Sequence, residues 1–279
     1  MTLGEAAVGT QVYLRVQGVY TPFRIMHHGK PDGSYDDSYS GGTILMLDKA
    51  AQPYQIPILE ATDGVRDNYD TSWMHRWLNE RFFGWLDGKV QEQVKEVRLP
   101  WRCDTGEQAL TVASGQEGLP AKVWLPSMAE ASRLARYTMG YGPNYVEEGA
   151  KFDYWKDKAV EDYEAWEVTG ADGLDAGWCL RTPNHYVAGA YAEYFFKVLG
   201  VGDAVISVEN LAYVRPCLVL PDGLRLDGDR YIQAGLSLPV MVDGVWREGT
   251  PFVKADGVWR EAVSFSVKVD GVWRQYNKP

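Results

Sequence analysis

The chain has 279 residues, enough for one large or two modest domains, and its 46% hydrophobic content supplies the material of a core. A net charge of −10 argues against nucleic acid as a partner, because binding a phosphate backbone needs clustered Lys and Arg. No run approaches the ~18 apolar residues of a membrane span, and MTLGEAAVGT lacks the basic and apolar regions of a secretion signal, so the expectation is a protein made in a cytoplasm with no membrane insertion. Eleven Trp and seventeen Tyr either form a binding surface or fill the core of an irregular, loop-rich fold.

Residues 10–27 alternate in character (Val12, Leu14, Val16, then Tyr20, Phe23, Ile25) across Gln17-Gly18, the pattern of a β-hairpin. The following HHGKPDGSYDDSYSGG has the Gly, Asp and Ser of a loop. Asp32, Asp36 and Asp37 are a weak calcium candidate without EF-hand spacing, against the plainer reading of a solvated loop. His27 and His28 lack partners at i+3 or i+4. Thr43 to Leu47 reads as a strand. Trp73, Trp77, Leu78, Phe82 and Leu86 fall near helical spacing, with Asp70 or Ser72 as N-cap and Gly88 as stop, which predicts a core helix. Gln91 to Val97 continues helix-like as far as Arg98-Leu99-Pro100. Residues 103–121 read as a surface loop and Lys122 to Leu125 as a short strand. Ser127 followed by Glu130 has capping-box spacing, predicting a helix over MAEASRLARY. From Tyr137 to Asp175 the chain is aromatic and acidic, with Trp155 and Trp166 among carboxylates. It reads either as an insertion that carries a site or as an irregular connection.

Residues 177–221 organise the rest. Two apolar, Pro-bounded segments, Trp178 to Pro183 and Val214 to Leu220, read as buried framework strands, and the stretch between them as a displayed excursion. Cys179 and Cys217 stand in these two segments, either as neighbours or as buried free thiols. With Cys103 they make neither a metal spacing nor an even disulfide framework.

Trp178-x-Leu180-Arg181-Thr182-Pro183, followed by Tyr213-Val214-Arg215-Pro216-x-Leu218, resembles a domain of unknown function from gut bacteria and their phages with the pattern W-x-L-R-[ST]-P then G-[IV]-R-P. The resemblance covers roughly residues 5 to 228, including the Trp73 to Leu86 helix, a strand end at Val97-x-Leu99-Pro100 and Val123-Trp124-Leu125-Pro126-Ser127. It implies a C-type-lectin-like α+β fold, a mixed sheet with two helices, related to the variable proteins that diversity-generating retroelements diversify. In those relatives the segment between the motifs is the displayed binding region. This chain has Val, Ala, Phe and Gly where diversified members carry Asn, Ser and Tyr. The resemblance makes Asn184, His185, Tyr186, Tyr191, Tyr194 and Phe196 the candidate ligand-binding residues, with Trp155 and Trp166 as flanking platforms and Trp178, Arg181, Arg215 and Pro216 as framework.

Beyond Pro221 the composition shifts, giving expected domains of 1–228 and 229–279. Asp243-Gly244-Val245-Trp246-Arg247 recurs at Asp256 to Arg260 and at Asp270 to Arg274, and an Asp-Gly pair between apolar runs is a hairpin signal. Such repeats resemble attachment or assembly modules of phage tail proteins; they fit a small docked β-subdomain about as well. There is no G-x-S-x-G, H-E-x-x-H, P-loop or dinucleotide fingerprint. The expectation is therefore a non-enzymatic tail-associated protein, carried in the virion, that binds a host-surface glycan or protein without a cofactor. Its other partners would be phage tail proteins and further copies of itself as a homo-oligomer. The alternatives are a purely structural virion subunit and, from the carboxylates of residues 147–167, a glycan hydrolase.

Overall fold

A computed structural model describes residues 1–48, 56–57, 69–103, 111–132, 147–158, 178–184, 194–198, 204–207, 211–234, 238–242, 245–249, 252–255, 258–261, 264–269 and 272–277. Among these the chain is α+β and mostly strands, with helical segments confined to residues 73–91 apart from single 3₁₀ turns.

The largest sheet is five-stranded and antiparallel, ordered Gln11–Val16, Val19–His28, Gly42–Leu47, Cys217–Pro221, Val123–Trp124. The first two strands form the expected hairpin. Val16 pairs with Val19, and Gln17 and Gly18 take φ of 50° and 80°, the doubly left-handed turn that matches strand twist. Gln11–Val16 buries Val12, Leu14 and Val16 while Gln11 and Tyr13 are half-buried and Arg15 is exposed, the alternation of a strand with one face on the core. Gly42–Leu47 is buried at every position and Cys217–Pro221 at its first four, so the two apolar runs sit side by side in the middle of the sheet, covered on both faces. Opposite Gly42–Leu47, Met26 is an extra unpaired residue between Ile25 and His27, and this bulge buries three consecutive side chains.

The Trp73 stretch is helical as expected, but not one regular helix. Ser72 is the N-cap, its Oγ accepting from His75 N at 3.1 Å. The helix then widens into a π-helical turn at Leu78–Phe82 before Phe83–Trp85. The wide turn presents Asn79 to the outer sheet strand, where its Oδ1 accepts from Lys122 N (2.8 Å) and Val123 N (3.2 Å) and its Nδ2 donates to Val123 O (2.9 Å). A side chain thus supplies the edge bonds that another strand would have made. Gly88 does not stop the helix. Leu86 has already turned extended, and Asp87 caps a new short helix, Gly88–Gln91, by accepting from Lys89 N at 2.9 Å. Nor does helix continue to Val97, because Val97–Leu99 is claimed as a strand by Leu119–Ala121. The expected surface loop at 103–121 is therefore partly paired structure.

His75 lies on this helix, and burial lowers its pKa to about 4 from 6.5. The unfolded chain takes up the proton first, so this contribution to stability is complete above about pH 6.5 and is lost as the pH falls through about 4. The span corresponds to roughly 3 kcal/mol. Urea melts at both ends of the range should show His75→Gln losing about 3 kcal/mol less than the wild type on acidification. Equal losses would remove His75 from the acid response.

The core continues past residue 228. Arg225–Leu226 pairs with Ile232–Gln233, Tyr13 N donates to Arg230 O at 3.0 Å, and Ile232 and Ala234 are buried in the core cluster. Further on, Leu238–Val242 pairs with Val245–Gly249, Phe252–Ala255 with Val258–Glu261, and Ser264–Val269 with Val272–Asn277.

Candidate functional site

Trp178–Asn184 begins a three-stranded antiparallel sheet with Tyr194–Val198 and Ala204–Ser207. The stretch between the framework motifs is therefore built partly of paired strands: besides these two, Leu211–Ala212 pairs with Ile56–Pro57. The register slips between Cys179↔Lys197 and Pro183↔Phe195, and Arg181 stands in the slip. There its N–H turns away from the sheet and donates to Pro126 O at 3.0 Å. Pro183, which has no N–H to give, stands where pairing resumes beyond the slip, opposite Phe195.

The Arg181 side chain is completely buried, and its guanidinium gathers three distant parts of the chain. Nη1 donates to Leu125 O (2.9 Å) and Glu130 Oε2 (2.5 Å), and Nη2 to Pro100 O (2.9 Å), Glu130 Oε1 (2.9 Å) and Glu148 O (3.0 Å). Burial works against its charge, but the Glu130 carboxylate outweighs burial and moves the pKa up. Glu130, also fully buried, accepts further from Ser127 N at 3.0 Å and from Tyr35 OH at 2.9 Å. Tyr35 OH in turn accepts from Ala150 N at 3.1 Å, and burial raises its pKa well above the ordinary value. Gly149 passes this hydroxyl at φ 96°, where a Cβ would lie 2.2 Å from the tyrosine oxygen, so only glycine fits.

The helix expected over residues 128–137 does not start at Ser127: both capping-box bonds form, with Glu130 N donating to Ser127 Oγ at 3.1 Å, but residues 128–132 are hydrogen-bonded turns and Ser132 takes φ 60°, while residues 133–137 lie outside the described residues. Glu130 is recruited by Arg181, 51 residues away, more than by a helix.

A second arginine holds the other end of the segment. Arg215 Nε donates to Leu47 O (2.9 Å) and Nη2 to Asp48 O (3.0 Å), while its guanidinium lies 4.9 Å from the Trp178 ring centre. Burial lowers its pKa to about 10, with Asp48 opposing at 4.0 Å. Asp48 is shared with Arg24, which binds it at 2.5 and 2.7 Å. Entry and exit are stitched together by Cys179 N donating to Tyr213 O at 2.9 Å. Trp178, Arg181, Arg215 and Pro216 are all buried, as a framework requires. Cys179 and Cys217 are buried free thiols in different sheets, and burial raises the Cys217 pKa well above its ordinary value.

Of the candidate binding residues, Asn184, Tyr194 and Phe196 belong to paired strands, with Asn184 opposite Tyr194. His185, Tyr186, Tyr191 and Trp166 lie outside the described residues. Trp155 is corrected: it is 1% exposed, packed edge-on against Tyr154 in the core, and has no face to offer a ligand. The loop carboxylates are spent locally, Asp32 on Ser34 N (2.8 Å), Asp36 on Ser38 N (3.2 Å) and Asp37 on Lys30 Nζ (2.9 Å). Among the described residues no three His, Cys, Asp or Glu are grouped to hold a metal.

Sequence reasoning missed the Glu130–Tyr35–Glu148 surroundings of Arg181. The available signal was an arginine inside an apolar strand, which demands a buried acidic partner. With both terminal nitrogens of Arg181 and both oxygens of Glu130 hydrogen-bonded and the pair sealed from solvent, this centre holds the entry of the segment in place.

These features define an α+β protein of open antiparallel sheets whose segment 178–213 is clamped at both ends by buried arginines. The chain belongs to the family described as a domain of unknown function (DUF6273), whose model matches residues 42–222. The matched region closes on itself, since Pro221 pairs with Gly42 and Asp222 N donates to Gly41 O at 3.0 Å. No curated protein and no solved structure matches the chain.

Proposed function

We propose that this protein is a tail-associated binding protein of a phage or prophage, with a C-type-lectin-like domain that recognises a host-surface glycan or protein through the aromatic segment from Asn184 to Phe196. The observation that carries the reading is the double arginine clamp. Arg181 and Arg215 fix the entry and exit of the segment with buried bonds, an investment that rigid presentation of the intervening surface explains. Tyrosine and phenylalanine interspersed with Ala and Gly suit sugar faces or protein pockets. Such a protein is made in the bacterial cytoplasm and works in the virion, beside other tail proteins. A purely structural tail subunit is the second reading, and the Asp-Gly-Val-Trp-Arg hairpins favour it.

A glycan array is the direct test. Tyr186→Ala and Tyr191→Ala should each weaken binding at least about tenfold while leaving the melting temperature nearly unchanged. Loss of stability from both, with binding intact in the folded fraction, would move the site off this segment. An array with no hits would favour the structural reading, and release of reducing sugar from a bound glycan would reveal a hydrolase.

A further inference from the structure

We propose that the outer face of the Gln11–His28 hairpin binds a carboxylate-bearing sugar, with Tyr13, Tyr20 and Tyr231 as the platform and Arg15 as the cation. The proposal does not depend on what the Asn184 to Phe196 segment binds. Val12, Leu14 and Val16 turn into the core, so Tyr13 and Arg15 stand on the opposite face of the same strand. The register sets Tyr20 directly across from Arg15, and the guanidinium carbon lies 4.8 Å from the Tyr20 ring centre. A third ring arrives from beyond the family region. Tyr13 N donates to Arg230 O at 3.0 Å, and the Tyr231 ring then meets Tyr13 at 5.1 Å and Tyr20 at 4.2 Å between centres. Asp227 fixes this approach by accepting from Tyr231 N at 2.9 Å and from Gln233 Nε2 at 3.1 Å.

The rings form a continuous patch that reaches the surface. Among the described residues Met1, Val19 and Tyr20 are the exposed large hydrophobics, and the last two stand side by side at the hairpin turn. Contiguous exposed apolar surface marks binding sites, whereas scattered single residues do not. The hydroxyls of Tyr20 and Tyr231 bond to no described residue, and Tyr13 OH donates to Gln11 Oε1 at 2.8 Å, which leaves its lone pairs open. Rings with an apolar body and a polar tip match a sugar, which has an apolar C–H face and a rim of hydroxyls.

Charge selects the kind of sugar. Residues 6–31 contain Arg15, Arg24 and Lys30 and no Asp or Glu, in a chain of net charge −10. Arg24 is held by Asp48 and Lys30 by Asp37, whereas Arg15 has a ring and, among the described residues, no carboxylate against it. A planar guanidinium at the edge of an aromatic platform suits bidentate capture of a carboxylate. Size favours a sugar over a protein face. Each tyrosine is less than half exposed, so rings worth about 150–250 Å² each leave at most roughly 375 Å² open, below the roughly 500 Å² that each partner gives to a small specific interface.

The test is a ligand-observed NMR titration of the full chain with two acidic probes, an oligogalacturonate and sialyllactose, each beside its uncharged methyl ester. The wild type should bind at least one acid with a Kd of about 1 mM or tighter, and its ester at least about tenfold more weakly. Tyr20→Ala and Arg15→Gln should each weaken binding of the acid at least about tenfold, with the urea transition unchanged because both side chains are exposed. Arg15→Gln should also abolish the preference for acid over ester, which a loss of folding alone would not do. Absence of binding to both acids at about 10 mM would overturn the proposal, as would equal affinity for acid and ester in the wild type. Unchanged affinity in both variants would overturn it too, placing the sugar on another surface.

Discussion

Replacing Arg181 with methionine is expected to lower the unfolding free energy by about 3–5 kcal/mol, the range for breaking a fully buried ion pair by removing one partner. The loss has two sources. Glu130 would remain without its cation, and the carbonyls of Leu125, Pro100 and Glu148 would lose a common donor. Lysine should rescue little, because one ammonium cannot span both Glu130 oxygens and three carbonyls as the planar guanidinium does. Urea unfolding of Arg181→Met, Glu130→Gln and the double variant would measure the coupling. We expect the double variant to be less destabilised than the sum of the singles by about 1–3 kcal/mol, since neutralising Glu130 relieves the stranded charge. Additive losses, or a cost for Arg181→Met below about 1 kcal/mol, would mean that the pair does not hold these segments together.

The parts of this fold that sequence made legible are those whose cause is local. Gln17-Gly18 announces its turn because two left-handed residues are needed there, and Ser72 announces a cap because the amide it serves is three residues away. The Gly42–Leu47 and Cys217–Pro221 runs read as buried strands because central strands, covered on both faces, lose their alternation. Elements decided at long range were misread. Ser127 and Glu130 form the expected reciprocal bonds, yet the carboxylate answers to Arg181 and Tyr35, separated from it by 51 and 95 residues, and residues 128–132 form turns where a helix was expected to start. Leu119–Ala121 pairs with Val97–Leu99 for the same kind of reason, so the helix-like pattern through Val97 gives way to the strand that the family resemblance implies there. Trp155 shows the limit of composition, since a ring among carboxylates has the same local sequence whether it faces a ligand or the core. The framework role of Trp178, Arg181 and Arg215 came from a family resemblance. Distance geometry now gives it a physical basis in the two arginine clamps.

Trp178→Ala should cost about 3–5 kcal/mol, the range for truncating a large buried aromatic. Trp178 is fully buried, and it does more than fill volume. Its strand starts the three-stranded sheet by pairing with Val198, its backbone bridges to Tyr213 at the far end of the segment, and its ring lies beneath the Arg215 guanidinium at 4.9 Å. Arg215 is poorly compensated even with the ring in place, because burial has already brought its pKa down to about 10 and Asp48 stands 4.0 Å away, shared with Arg24. Alanine would take the ring's negative face from that charge, adding about 1–2 kcal/mol of lost cation–π attraction to the cavity. Trp178→Phe retains an aromatic face and most of the volume and should cost less than half as much as alanine. Thermal and urea melts of the two variants would measure the difference. Equal losses would mean that neither the volume nor the aromatic face that phenylalanine keeps sustains the site, and would remove the cation–π contact from the Arg215 clamp. An alanine variant that melts like the wild type but no longer binds the ligand would show that Trp178 meets the ligand at the surface, and the clamped-segment reading would fall with it.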